Sequence, residues 1–219
     1  MATYNISKVF NWNGRFTERV SGVCRMFGLS AERLRNRQHR HSCRLQINPG
    51  DIVYITGASG SGKSILLGEL EKAVPPKEKI SLDDIKLPLD KSVIDCFDLS
   101  LLESLKLLSI AGLSDCFCIL NQPVNLSPGQ QYRFRLATAM ASGRKFVFAD
   151  EFCSELDRLT AASLCYKLRQ FANRTGTTFI LASSHEDTMA ELAPDVIVIK
   201  NFVVEPYIIY KNSRRQSYA

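Results

Sequence analysis

Gly57-Ala58-Ser59-Gly60-Ser61-Gly62-Lys63-Ser64 has the spacing G-x-x-x-x-G-K-[ST], which suits phosphate binding. Glycines let the backbone curl so that successive N–H groups converge on phosphate oxygens. In such a loop Lys63 reaches the β- and γ-phosphates of a nucleotide, and the Ser64 hydroxyl can ligate Mg2+. Two acids, Asp150 and Glu151, close the apolar run Phe146-Val-Phe-Ala149. Beside a phosphate loop, Asp150 is placed to hold Mg2+ and Glu151 to polarise a water attacking the γ-phosphate. A third segment, Leu126-Ser127-Pro128-Gly129-Gln130-Gln131, precedes a helical stretch. Ser127 and the N–H groups near Gly129 make a helix N-terminus able to receive an anion. Ser followed by Pro is equally an ordinary helix start with no further role.

The elements around these residues fit the chemistry. Ile52–Thr56 is a short run rich in β-branched residues, a buried strand, and it leads into the loop. A helix is expected over Lys63–Ala73, stopped by Pro75-Pro76. Phe146–Ala149 reads as a strand, and carboxylates at the C-terminal end of a strand sit where open α/β sheets bind ligands. Further strands are expected at Cys43–Ile47, Thr177–Ala182 and Val196–Ile199. Helices are expected from Ser100, which opens a capping box with Glu103, and over Gln130–Ala141 and Thr160–Arg174, with a short one near 187–192. Residues 77–99 show little periodicity, and 110–127 read as loop. Alternating strands and helices imply an α/β fold, a mainly parallel sheet with helices on its faces.

The bulk numbers set outer bounds. A chain of 219 residues, 45% hydrophobic and 23% charged, is ordinary for one globular domain. No apolar run reaches the roughly 18 residues of a membrane helix, and Met1–Lys8 lacks the apolar stretch of a signal peptide. A cytoplasmic protein is therefore expected, with any membrane role needing a separate membrane partner. Seven cysteines with no paired CxxC read as reduced thiols. His39, His41 and Cys43 suggest zinc, but adjacent arginines repel a cation and no second ligand cluster exists. Charge is uneven: residues 1–49 hold nine Lys/Arg and two acids, a net of +7, while the rest of the chain nets −1. Such a segment attracts nucleic acid or an acidic partner, or is a solvated face.

Taken in order, these motifs resemble the ABC-type ATPase family, and the chain is identified as a member. Gly57–Ser64 is its Walker A loop, Leu126–Gln130 resembles the LSGGQ signature, and Phe146–Asp150 is Walker B with Glu151 at the catalytic glutamate. Ser154-Glu-Leu-Asp157 looks like the D-loop, and Ser184-His185-Glu186 like the H-loop. The resemblance implies a P-loop NTPase fold with an N-terminal β region and a reduced helical subdomain, approximately residues 86–142, within a single domain over 1–219. It implies ATP and Mg2+ as ligands and a head-to-tail homodimer. Walker A of one chain would face Ser127, Gly129 and Gln130 of the other, with Glu151, His185 and Lys63 catalytic. It also implies an aromatic stacked on adenine, for which Phe27 is the first candidate and Trp12 the second; either is otherwise core. The narrower pattern looks like stand-alone prokaryotic ABC-type ATPases, some joined to an acetyltransferase-like domain. Pro128 replaces the first signature glycine, Phe152 stands where the family has proline, and no Q-loop glutamine is found. Asp90 is a candidate to replace that glutamine at the metal, and is equally a plain loop carboxylate. The missing glutamine favours an ATPase acting on nucleic acid or another soluble partner over the alternatives, a transporter's ATP-binding subunit or a slowly hydrolysing binding module.

Overall fold

The computed structural model describes residues 1–202 and 205–211, apart from the side chain of His39. Strand β1 (Ala2–Asn11) pairs antiparallel with β2 (Gln38–Ile47), in register from Ala2 opposite Ile47 to Asn11 opposite Gln38. The sequence reading pointed only to Cys43–Ile47, although Ala2, Tyr4 and Ile6 also recur at every second position. In β1 that alternation turns Tyr4 and Ile6 to the core, while the far end of the ribbon is held mainly by backbone pairing. Between the two strands lies an excursion with α1 (Glu18–Met26) and α2 (Ala31–Arg35). Thr17 and Ser30 cap these helices by accepting from Val20 N–H and Arg33 N–H.

Strand β3 (Ile52–Thr56), wholly buried, runs into the glycine loop and then α3 (Lys63–Ala73). After β4 (Lys79–Ser81) come α4 (Leu101–Ile110), α5 (Cys116–Leu120) and α6 (Pro128–Ala141). The chain continues through β5 (Phe146–Ala149), α7 (Arg158–Thr175), β6 (Thr178–Ala182), α8 (Met189–Leu192), β7 (Val196–Ile199) and β8 (Tyr207–Tyr210). The sheet order is β4-β5-β6-β3-β7-β8, parallel except for β8, which pairs antiparallel with β7. This is the expected α/β class.

Strand β4 lies inside the aperiodic 77–99 stretch, and α5 inside the segment read as loop. Three residues cannot display alternation; β4 exists because Ser81 pairs beside Phe148 of β5. Helix α5 is one short turn fixed by Asp115, whose carboxylate accepts from Phe117 and Cys118 N–H.

Apolar packing covers both faces of the sheet. On one face Leu66, Leu67 and Leu70 of α3 and Ile6, Leu45 and Ile47 of the ribbon meet Val53, Ile55, Phe148 and Ile180. On the other, α6 and α7 meet Tyr54, Val147, Phe179 and Leu181. A separate cluster of Val93, Phe97, Leu108, Leu113, Leu126 and Phe134 gathers α4 and α6 and the loops beside them. No helix among the described residues is long and apolar enough to cross a membrane.

Candidate functional site

The register of the sheet decides what meets what. Ile55 of β3 lies beside Ala182 of β6, and Leu181 of β6 beside Ala149 of β5. The segments leaving these three strands therefore start from one edge. They carry the glycine loop, Asp150-Glu151 and Ser184-His185.

The loop has the backbone its glycines allow. Gly57, Gly60 and Gly62 all have positive φ, and a Cβ at Gly57 would collide with the carbonyl of Lys200. Gly62 is the N-cap of α3 and offers no side-chain acceptor, so no side chain caps the helix's first N–H groups. The Lys63 ammonium folds back on the loop, donating to the carbonyls of Gly57 at 2.8 Å and Ala58 at 3.0 Å. Ser61 Oγ is buried with no hydrogen-bond partner among the described residues. Vacant N–H groups, a lysine and an orphaned hydroxyl around a curled loop fit an anion.

A cavity of about 450 Å³ opens over the loop, lined by Ser59, Gly60, Gly62, Lys63, Ser64, Asp150, Glu151, Ser154 and His185 among others. Gly57, Ala58 and Ser61 do not line the cavity. Ser64 and Asp150 thus bring a hydroxyl and a carboxylate, the hard oxygen donors Mg2+ takes, to one wall. No cluster of three His, Cys, Asp or Glu suited to a metal occurs among the described residues.

Glu151 is aimed by its neighbours. Phe152 is 1% exposed, anchored in the core, and its N–H donates to the Ala182 carbonyl at 2.8 Å. Glu151 itself takes φ +46°, which turns its side chain out of the strand line. Its N–H donates to Asp150 Oδ1 at 2.9 Å. His185 is held through its backbone: Tyr54 Oη donates to its carbonyl, and its N–H donates to Ser183 Oγ.

Ser127, Gly129 and Gln130 do not line this cavity. Ser127 caps α6 in a reciprocal capping box with Gln130, whose side chain also donates to Cys118 Sγ at 2.9 Å. Gly129 packs against the D-loop: a Cβ there would lie 2.9 Å from the Glu155 carbonyl oxygen.

The aromatic candidates do not line this cavity either. Phe27 is 75% exposed at the end of α1, and Trp12 packs edge-on against Phe16. His41 is the ring that reaches the loop: a Cβ at Gly62 would come within 2.5 Å of its Cε1, and Phe10 packs edge-on against it at 5.9 Å. No sequence signal separated Phe10 and His41 from the other aromatics before the ribbon register was known. His39, named for zinc, has its side chain outside the described residues; Cys43 is buried, and burial pushes its thiol up to about 12.

Asp83 went unnoticed in the sequence. It follows β4, which ends beside β5, and lines a second cavity of about 320 Å³ with Tyr132, Arg135, Asp150, Glu151 and Glu155. Burial, then the charge of Asp150, raises its carboxyl above the usual range. Asp90 lies exposed outside both cavities. The signal for Asp83 lay in Lys79-Ile-Ser81, too short to read as a strand.

No protein-family model matches the chain. It is 26% identical to the methionine import ATP-binding protein MetN 3 of Pectobacterium atrosepticum, over 90% of this chain and 62% of that one. It is 29% identical to the macrolide export ATP-binding/permease protein MacB of Syntrophobacter fumaroxidans, over 74% of this chain but 28% of that one. The chain thus spans less than two thirds of the length of these relatives. Against the aliphatic sulfonates import ATP-binding protein SsuB 1 of Paracoccus denitrificans it is 28% identical, over 75% of this chain and 74% of that one. Among solved structures it is similar in fold to the dimeric MJ0796, a bacterial ABC transporter cassette, with a TM-score of 0.65 and 19% identity over 80% of this chain and 92% of that one. A post-hydrolysis dimer of the same cassette, bound to ADP and Pi, gives 0.64.

Proposed function

The chain belongs to the ABC-type P-loop ATPases, and on that premise we propose that it binds and hydrolyses Mg-ATP between two copies of itself. The observation that carries this reading is the convergence of Lys63, Ser64, Asp150, Glu151 and His185 on one cavity that leaves out Ser127, Gly129 and Gln130. One chain holds the phosphate-binding half of a site. The signature half lies on the part of the surface a second chain would bring.

On ATP binding, the Lys63 ammonium exchanges its two loop carbonyls for phosphate oxygens. The α3 N-terminus and loop N–H groups take up the remaining phosphate charge. Ser64 and Asp150 would hold Mg2+, which supplies charge neutralisation on the phosphates. Glu151 orients a water and accepts its proton; His185 hydrogen-bonds to the γ-phosphate or to that water. Across the seam, Ser127 and the N–H groups near Gly129 complete the shell. His41, against which Phe10 packs, offers a ring beside the loop for the base, and joins Phe27 as a candidate. The domain is a single cassette with its helical subdomain at about residues 86–142.

Two readings of the work done by ATP remain. The relatives named above are proteins of import and export, which favours an ATP-binding subunit paired with a membrane partner. The basic N-terminal segment is what favours nucleic acid. Co-purification with a membrane protein supports the first, and DNA- or RNA-stimulated hydrolysis the second. For the chemistry itself, Glu151→Gln should retain ATP affinity while phosphate release falls about a hundredfold or more, the usual cost of losing a catalytic carboxylate. Hydrolysis by that variant at the wild-type rate would refute the assignment.

A further inference from the structure

Apart from the ATP site, the excursion between β1 and β2 presents an unusual surface. The outward face of α1 carries Val23, Met26 and Phe27, three apolar side chains at helical spacing with exposures of 53%, 86% and 75%. Arg19 precedes Val23 by one turn on the same face, and Cys24, 5% exposed, anchors the inward side. Along the excursion Arg15, Arg25, Arg33, Arg35 and Arg37 are exposed, as are Arg40 of β2 and the two acids Glu18 and Glu32. None of them forms an ion pair among the described residues. A groove beside α2 is lined by Leu29, Ser30, Glu32, Arg33, Leu34 and Arg37, among others.

We propose that the α1–α2 excursion docks on an anionic lipid bilayer, with Val23, Met26 and Phe27 entering the headgroup region and the arginines meeting lipid phosphates. Exposed apolar residues beside unpaired cations are the two ingredients of interfacial binding, and each adds to the other. A second copy of this chain is a poor occupant, since arginine would face arginine across a two-fold axis. Nucleic acid satisfies the charge but leaves Val23 and Met26 against a polar backbone.

Vesicle flotation tests this with the full chain and no nucleotide. Vesicles of equal parts phosphatidylcholine and phosphatidylglycerol are compared with phosphatidylcholine alone, at low and high salt. The chain should float with the anionic vesicles only, and high salt should release it. Met26→Asp with Phe27→Asp should weaken binding about tenfold or more, from the loss of two inserted apolar side chains. Arg33→Ala with Arg37→Ala should weaken it comparably and flatten its salt dependence. All four positions are exposed, so thermal melts should match the wild type. No flotation, or equal flotation with neutral vesicles, overturns the proposal. So does a Met26→Asp, Phe27→Asp protein that floats normally while duplex DNA displaces the wild type; that result assigns the surface to nucleic acid.

Discussion

The loop edge of the sheet and the signature segment hold their polar groups by different means. At the loop edge, position is set from below. Phe152 is buried beneath Glu151, Tyr54 ties down the backbone of His185, and the loop curls where Gly57 meets the Lys200 carbonyl. The signature segment is satisfied by itself: Ser127 and Gln130 close a capping box at an exposed helix start, and Gly129 rests on Glu155. A group anchored in the core keeps its aim in an isolated chain. A helix N-terminus exposed to solvent keeps its direction but has nothing in its own chain to act on. Pre-organisation and completeness are therefore separate properties of this site.

The contrast breaks most severely at Phe152. Phe152→Ala empties a fully buried position and should cost about 3–5 kcal/mol of stability, read from urea unfolding. It should also disorder the aim of Glu151, whereas truncating Ser127 or Gln130 removes only a capping interaction at an exposed helix start. Next comes Lys63→Ala, which removes the side-chain cation over the loop. ATP affinity measured by isothermal titration should fall about a hundredfold or more, near 3 kcal/mol, with the fold intact. Unchanged affinity would mean that the loop is not the site. The smallest effect is expected at Asp83. Its folded-state pKa is raised, so its ionised form is disfavoured by the fold, and that cost is present above the folded pKa. Asp83→Asn should therefore raise the melting temperature slightly at neutral pH in metal-free buffer. The gain should vanish as pH falls below the ordinary aspartate range, where the native carboxyl is already protonated in both states. A gain that persists in acid would point to packing rather than charge.

The loop edge was legible in the sequence because its signals are local. Gly57–Ser64 and Phe146–Glu151 each combine an apolar strand with its chemistry in under ten residues. What was missed depends on pairing between distant segments. Strand β4 is defined by its neighbour β5, so Asp83 is placed beside Asp150 only once that register exists. His41 reaches Gly62 because β2 packs near α3, while Phe27, chosen for its type and its place upstream of the loop, is carried out to solvent by α1. Helix α2 is too brief to show periodicity, whereas α1 with its C-cap carries Val20, Val23, Cys24 and Phe27 at helical spacing, a signal the sequence reading passed over.

The central claim is that a second chain completes the ATP site. Light scattering on Glu151→Gln, with and without Mg-ATP, tests it, because that variant should hold ATP without turning it over. The mass should about double with Mg-ATP, and adding Ser127→Arg should return it to the monomer value by filling the seam with a bulky cation. A Glu151→Gln protein that binds ATP and keeps the monomer mass, or a doubled mass untouched by Ser127→Arg, would contradict it.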